Sequence, residues 1–251
     1  MPKSYIYLGG VNIYININNI NIHYKVEGSG EDLILLHGWG ANLNTFLNLS
    51  KNLSENFRVY SLDLPGFGES KISKSMDIEE VTKIIKEFVD RLKINNPILL
   101  CHSYGGRIGI VYSSKYYVRK LVLVSSPGVK EVSFKKRIKI RIYKILKVFG
   151  IKLNTGSEDY KNADEIMKEM LVKTVNQDLV EYMKGIDTQT LLMYGDKDNV
   201  TPLSMGYKIN SFIKGSRVVV LKECGHFPYL ERPGYFMLIL NCFLLGENNV
   251  D

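Results

Sequence analysis

Six short apolar runs dictate what this chain can fold into. Leu33–Leu36, Val59–Leu62, Ile98–Cys101, Leu121–Val124, Leu191–Tyr194 and Val218–Leu221 are each four residues long, with little alternation of apolar and polar positions. Strands of that kind are buried on both faces, as in a parallel sheet. Helical patterns lie between them. In Asp77–Leu92 the residues Ile78, Val81, Ile84, Ile85, Phe88, Val89 and Leu92 recur at helical spacing, and Asp77 with Glu80 makes an N-terminal capping pair. Gly105–Tyr116, Pro202–Ile213 and Pro233–Leu245 are the other helix candidates. Strands alternating with helices imply crossover connections and a mostly parallel, doubly wound α/β sheet. Ahead of it, Ile13, Ile15, Ile17 and then Ile20, Ile22, Tyr24 alternate with period two around Asn18-Asn19, the pattern of an antiparallel β-hairpin.

The alternation breaks between Pro127 and Gly185, where only helical patterns occur. This predicts a core domain in two parts, 1–126 and 187–251, with a helical cap inserted at 127–186 over the crevice where open α/β sheets bind ligands. The cap also carries the chain's charge. Lys130–Lys152 holds nine Lys/Arg and one acid, Glu131, a net +8 against +7 for all 251 residues. The rest is therefore close to neutral. Ile138, Ile142, Ile145 and Phe149 lie at helical spacing within that stretch, with Lys135, Lys139 and Arg141 near another face. The expectation is a cap helix, apolar toward the core and cationic toward water. Weak contact with an anionic membrane surface is the sharper alternative. Nucleic acid is not an expected partner, since the stretch belongs to no recognisable binding fold.

One segment carries chemistry. Ile98-Leu-Leu-Cys-His-Ser103-Tyr-Gly-Gly106 reads as strand, tight turn and helix. A serine on such a turn stands exposed at the end of the strand, and the amides at the start of the following helix stabilise an oxyanion. The turn needs small neighbours. Cys101 and Gly105 fill those places, where the usual pattern has glycine at both.

Here the chain resembles the α/β-hydrolase superfamily, the serine carboxylesterases in particular, over nearly its whole length outside the insertion. His37-Gly-Trp-Gly40 is similar to the oxyanion loop, Asp63-Leu-Pro-Gly-Phe-Gly-Glu-Ser70 to the loop after the fourth strand, and Cys101–Gly105 to the nucleophile elbow. Gly195-Asp-Lys-Asp198-Asn-Val-Thr-Pro202 is similar to the acid loop, and Gly225-His226-Phe-Pro-Tyr-Leu-Glu-Arg-Pro233 to the histidine loop. The resemblance implies Ser103 as nucleophile, His226 as general base and Asp198 as its orienting acid, in the family's order, with the backbone N–H groups of Trp39 and Tyr104 as the oxyanion hole. The chemistry agrees. A serine hydroxyl needs a base to take its proton, and histidine, titrating near ~6.5 in water, can take and return one.

Other candidates have plainer roles. Asp196 is read as a turn residue, because the family's acid lies four residues before the loop's proline. The loop of Asp63 is read as structural. His102 adjoins Ser103 but points elsewhere on a sharp turn, His37 shapes the oxyanion loop, and His23 has no evident role. Cys101 is a small buried hydrophobe.

The expected activity is hydrolysis of an apolar carboxylic ester through an acyl-enzyme. Thioesterase, lactonase, aminopeptidase and carbon–carbon bond hydrolase share the same three residues, and a non-catalytic binding protein on this fold is a reading of another class. No metal or organic cofactor is implied: Cys101, Cys224 and Cys242 form no zinc-like spacing with the four histidines. An odd cysteine count and the lack of a charged and apolar leader pattern in residues 1–10 suggest a reducing, cytoplasmic compartment. Either a monomer or a homodimer is expected.

Overall fold

A computed structural model describes residues 13–130 and 164–246. The basic stretch, apart from Lys130, lies outside the described residues, as does the 131–163 part of the expected cap.

Eight strands form one sheet: β1 (Ile13–Ile17), β2 (Ile20–Glu27), β3 (Glu31–Leu36), β4 (Phe57–Leu62), β5 (Ile98–His102), β6 (Lys120–Val124), β7 (Thr190–Gly195) and β8 (Arg217–Leu221). Their order is β1-β2-β4-β3-β5-β6-β7-β8. The β1–β2 and β2–β4 pairs are antiparallel, and the others parallel. The hairpin turns at Asn18-Asn19, whose φ angles of 50° and 67° are the two positive values that a tight two-residue turn demands. Ile17 therefore pairs with Ile20. The hairpin's second strand runs on past Tyr24 and pairs with β4, an extension the polar residues Lys25 and Glu27 concealed in the sequence.

The six apolar runs are the parallel strands; five are buried on both faces, whereas in the edge strand β8 only Leu221 is fully buried and Val218, Val219 and Val220 are partly exposed. Leu33 and Leu35 belong to one apolar layer, Ile34 and Leu36 to the other; Leu100 and Cys101, Val122 and Leu123 divide in the same way. One layer is closed by helices α2 (Ile78–Arg91) and α3 (Tyr104–Lys115), the other by α1 (Leu47–Leu53) and, far along the chain, Pro233–Leu245. The capping pair of α2 is formed: Asp77 accepts from the Glu80 amide at 2.8 Å and Glu80 from the Asp77 amide at 2.9 Å. Helices α4 (Glu165–Asn176) and α5 (Val180–Lys184) follow β6. Met170, Leu179 and Met183 are fully buried against the core layer of α2 and α3. Helices α6 (Leu203–Phe212), α7 (Pro228–Glu231) and α8 (Pro233–Leu245) are the last of the described elements.

The strand order reverses around β3, which has β4 on one side and β5 on the other. A crevice opens at the carboxyl ends of strands at such a reversal. The loops after β3, β5, β7 and β8 all leave the sheet at that edge.

Candidate active site

Ser103 follows β5 directly and caps α3 with φ 50° and ψ −110°, a backbone conformation that non-glycine residues hold only when their surroundings enforce it. Its amide donates to the Val124 carbonyl at 3.0 Å, the Gly105 amide to the His37 carbonyl at 3.0 Å, and the Gly106 amide back to the Ser103 carbonyl at 2.9 Å. The space is that of glycine. A Cβ on Gly105 would lie 2.2 Å from the Leu36 carbonyl oxygen, and one on Gly106 1.9 Å from Ser126 Oγ. Gly105→Ala is accordingly expected to push the oxyanion loop off the elbow, at a stability cost of about 3 kcal/mol and a fall in melting temperature of roughly 6–12 °C. A thermal melt that superposes on that of the native chain would contradict this packing.

The departure at Cys101 is accommodated across the elbow. A Cβ on Gly109 would meet Cys101 Sγ at 2.6 Å, so the missing side chain at position 109 leaves the room that cysteine needs. Cys101 is fully buried, and burial pushes its thiol far above the ordinary range, which suits a packing residue rather than a nucleophile.

The three separated residues Ser103, Asp198 and His226 meet. His226 Nε2 lies 3.1 Å from Ser103 Oγ, and His226 Nδ1 lies 2.8 Å from Asp198 Oδ2. A carboxylate only accepts, so Nδ1 carries the proton and Nε2 is left to accept from the serine hydroxyl. The Asp198 side chain is fully buried and that of His226 partly so, at 13% exposed. Asp198 Oδ1 accepts from the Val200 and Thr201 amides, both at 2.8 Å. Burial disfavours its charge, but the hydrogen bond and charge of His226, with those two amides, outweigh burial and hold the carboxyl below its ordinary value. Asp196, the rival acid, points away and accepts from the Glu223 amide at 2.8 Å.

The oxyanion-loop candidates lie beside the serine. A Cβ on Gly38 would be 3.3 Å from Ser103 Cβ and 2.9 Å from His102 Nδ1, so only glycine lets this loop approach. Among the described residues the amides of Trp39 and Tyr104 find no acceptor in the turns and loops. Their side chains pack edge to face, with ring centroids 5.2 Å apart, and Phe67 contacts both rings, at 4.9 Å from Trp39 and 5.6 Å from Tyr104. His37 shapes the loop as expected: Nδ1 donates to the Gly38 carbonyl at 2.8 Å and Nε2 accepts from the Leu64 amide at 3.0 Å.

Three supports escaped the sequence reading. His102 Nε2 donates to the His226 carbonyl at 2.9 Å and so anchors the histidine loop. Glu231 grips the same loop by accepting from the Gly225 amide at 2.5 Å and the Phe227 amide at 3.0 Å. His23 has a partner after all, donating from Nδ1 to Asp63 Oδ2 at 2.7 Å. Asp63 also accepts from the Leu43 and Glu69 amides, both at 2.8 Å, and is thereby fully engaged in fixing its loop. Among the described residues no group of three or more His, Cys, Asp or Glu is arranged to hold a metal, and no helix is long and apolar enough to cross a membrane.

The chain is similar to the pimeloyl-[acyl-carrier protein] methyl ester esterase of Wigglesworthia glossinidia brevipalpis, with 28% identity over 90% of this chain and 98% of that one. It is 25% identical to the 2-hydroxy-6-oxononadienedioate/2-hydroxy-6-oxononatrienedioate hydrolase of Escherichia coli K12, over 88% of this chain and 90% of the other. Among solved structures, the esterase from Exiguobacterium antarcticum superposes with a TM-score of 0.78 at 25% identity, covering 93% of this chain and 99% of that one. The family model for the alpha/beta hydrolase fold matches residues 33–142 and 151–233, and with the sheet order and the placement of the elbow it establishes that this chain belongs to the α/β-hydrolase family.

Proposed function

We propose that this chain is a serine hydrolase that cleaves a carboxylic ester through an acyl-enzyme. The observation that carries the reading is the relay from Ser103 Oγ to His226 Nε2 at 3.1 Å and from His226 Nδ1 to a buried Asp198 at 2.8 Å.

In the first half of the reaction His226 Nε2 takes the Ser103 proton as Oγ bonds to the ester carbonyl carbon. The carbonyl oxygen becomes an oxyanion, which the amides of Trp39 and Tyr104 bind. The intermediate collapses, its carbon–oxygen bond to the alcohol breaks, and His226 returns the proton to the departing alkoxide. In the second half a water replaces the alcohol: His226 takes its proton, hydroxide adds to the acyl carbon, and the acid leaves as Ser103 recovers its hydrogen. Asp198 holds the tautomer throughout and stabilises the imidazolium that forms twice per turnover. Ester-cleaving relatives that align over nine-tenths of the chain support the reaction class.

The test is a substrate panel of methyl and p-nitrophenyl esters, matched thioesters, lactones and aminoacyl amides. The expected result is that an oxygen ester gives the highest kcat/KM. A thioester or amide turned over faster than every ester would replace this reading with another that uses the same three residues.

A further inference from the structure

One turn of α3 beyond the elbow lies a cation that the proposed chemistry does not use. Arg107 is 7% exposed. A guanidinium has five N–H donors, yet among the described residues its one hydrogen bond runs from Nη1 to the Gln177 carbonyl at 3.1 Å and no carboxylate lies within ion-pair distance. The acid that acts on it through space, Asp178, is exposed and already accepts from the Val180 amide at 3.0 Å and the Lys130 amide at 3.3 Å. Burial lowers the guanidinium to about 10, so it stays charged at neutral pH. A buried charge without a counter-ion is costly, by several kcal/mol in most settings.

Polar groups on neighbouring residues are in the same condition. Among the described residues seven buried side-chain atoms lack a hydrogen-bond partner, and three of them are Tyr104 Oη, Thr174 Oγ1 and Gln177 Oε1. Tyr104 precedes Arg107 by three residues, on the same face of α3. Tyr104 and Arg107 act on each other through space, and Thr174 stands in the last turn of α4 before Gln177, whose carbonyl meets Arg107. These groups mark a seam where α3 meets the end of α4. The seam reaches the oxyanion loop, because the Tyr104 ring packs on Trp39 and Phe67.

We propose that Arg107, with Tyr104 and Thr174, receives a carboxylate carried by the substrate at the end remote from the scissile ester. The free edge of the guanidinium matches the two oxygens of a carboxylate, and the two hydroxyls supply further donors. The Gln177 amide turns either its oxygen or its nitrogen to the ligand. A single buried positive charge is balanced by one negative charge, which favours a carboxylate over a phosphate dianion. The substrate class that follows is a monoester of a dicarboxylic acid; this choice rests on the ester-hydrolase reading, whereas the anion site itself does not.

The test has two arms. In the first, kcat/KM is measured for monomethyl esters of the dicarboxylic acids from succinate to suberate, against the methyl esters of the matching monocarboxylic acids. At the best chain length the acidic ester is expected to lead by about tenfold or more. Arg107→Gln should bring that ratio close to one, and Arg107→Lys should restore part of it. No preference at any length, or a fall in Arg107→Gln that is equal for both esters and leaves the ratio intact, would overturn the proposal and leave Arg107 as a tether to the Gln177 carbonyl. The second arm needs no turnover. Adipate should raise the melting temperature of the native chain and of Ser103→Ala, and should have no effect on Arg107→Gln. A shift that depends on Arg107 in a protein that hydrolyses no ester would keep the anion site and remove the ester reading. Equal shifts in all three proteins, or none in any, would overturn the site and leave water as its occupant.

Discussion

Replacing Ser103 with alanine is expected to lower turnover of a p-nitrophenyl ester by about 10⁵–10⁶-fold, because the three residues act as one unit and losing the nucleophile costs nearly as much as losing all of them. The fold should be indifferent. Among the described residues Ser103 Oγ has the His226 ring as its one hydrogen-bond partner, and the strained backbone is held by amide bonds to Val124 and Gly106 that alanine also makes. The melting temperature should therefore move by only a few degrees. A residual rate above the uncatalysed one is also expected, since the Trp39 and Tyr104 amides would still meet a carbonyl attacked by water. Initial rates within tenfold of the native chain would remove Ser103 from the reaction.

The second large effect is on stability in acid. His37 and His102 are buried, and burial pulls them down to about 4 and about 3. Geometry agrees with neutral rings. His37 Nε2 accepts the Leu64 amide, and His102 Nδ1 faces the Tyr229 hydroxyl while Nε2 donates to the His226 carbonyl. In the unfolded chain both histidines take up protons near ~6.5. As pH falls below that value the unfolded chain binds two protons that the folded chain refuses, so stability drops through the window between the unfolded and folded values. Between about pH 7.5 and about pH 4.5 the loss is on the order of 5 kcal/mol, comparable to the whole stability of many domains. Asp198, held below its ordinary value, adds to the loss only at still lower pH. Urea unfolding at the two pH values measures this directly. Equal unfolding free energies would mean that the two rings are not held neutral, and that the oxyanion and histidine loops are looser than they stand here.

Much of this was legible because it is written in local pattern. Runs such as Leu33–Leu36 read as buried strands because adjacent residues face two different apolar layers. The Asn18-Asn19 turn and the Asp77–Glu80 cap were visible because a few neighbouring residues determine them. The trio Ser103, Asp198 and His226 was found through loop motifs whose order matches that of the family, not through their proximity, which no local feature encodes. What escaped notice depends on contacts between distant segments. His102 is separated by 124 residues from the carbonyl it supports, and His23 by 40 from Asp63. The burial of Arg107 could not be inferred either, since an arginine on a helix after an elbow has no sequence mark that says which way it points. Glu231 was visible only as one more acid, until the fold turned it back onto the amides of Gly225 and Phe227.

The central claim is that one serine, made reactive by a distant histidine, carries the acyl group. A fluorophosphonate reacts with such a serine and leaves a phosphonyl group on its oxygen. Intact-mass measurement followed by peptide mapping should find one adduct per chain, on Ser103, with labelling abolished in Ser103→Ala and strongly slowed in His226→Ala. An adduct on another residue, or full ester turnover in a chain that takes up no label, would contradict the account.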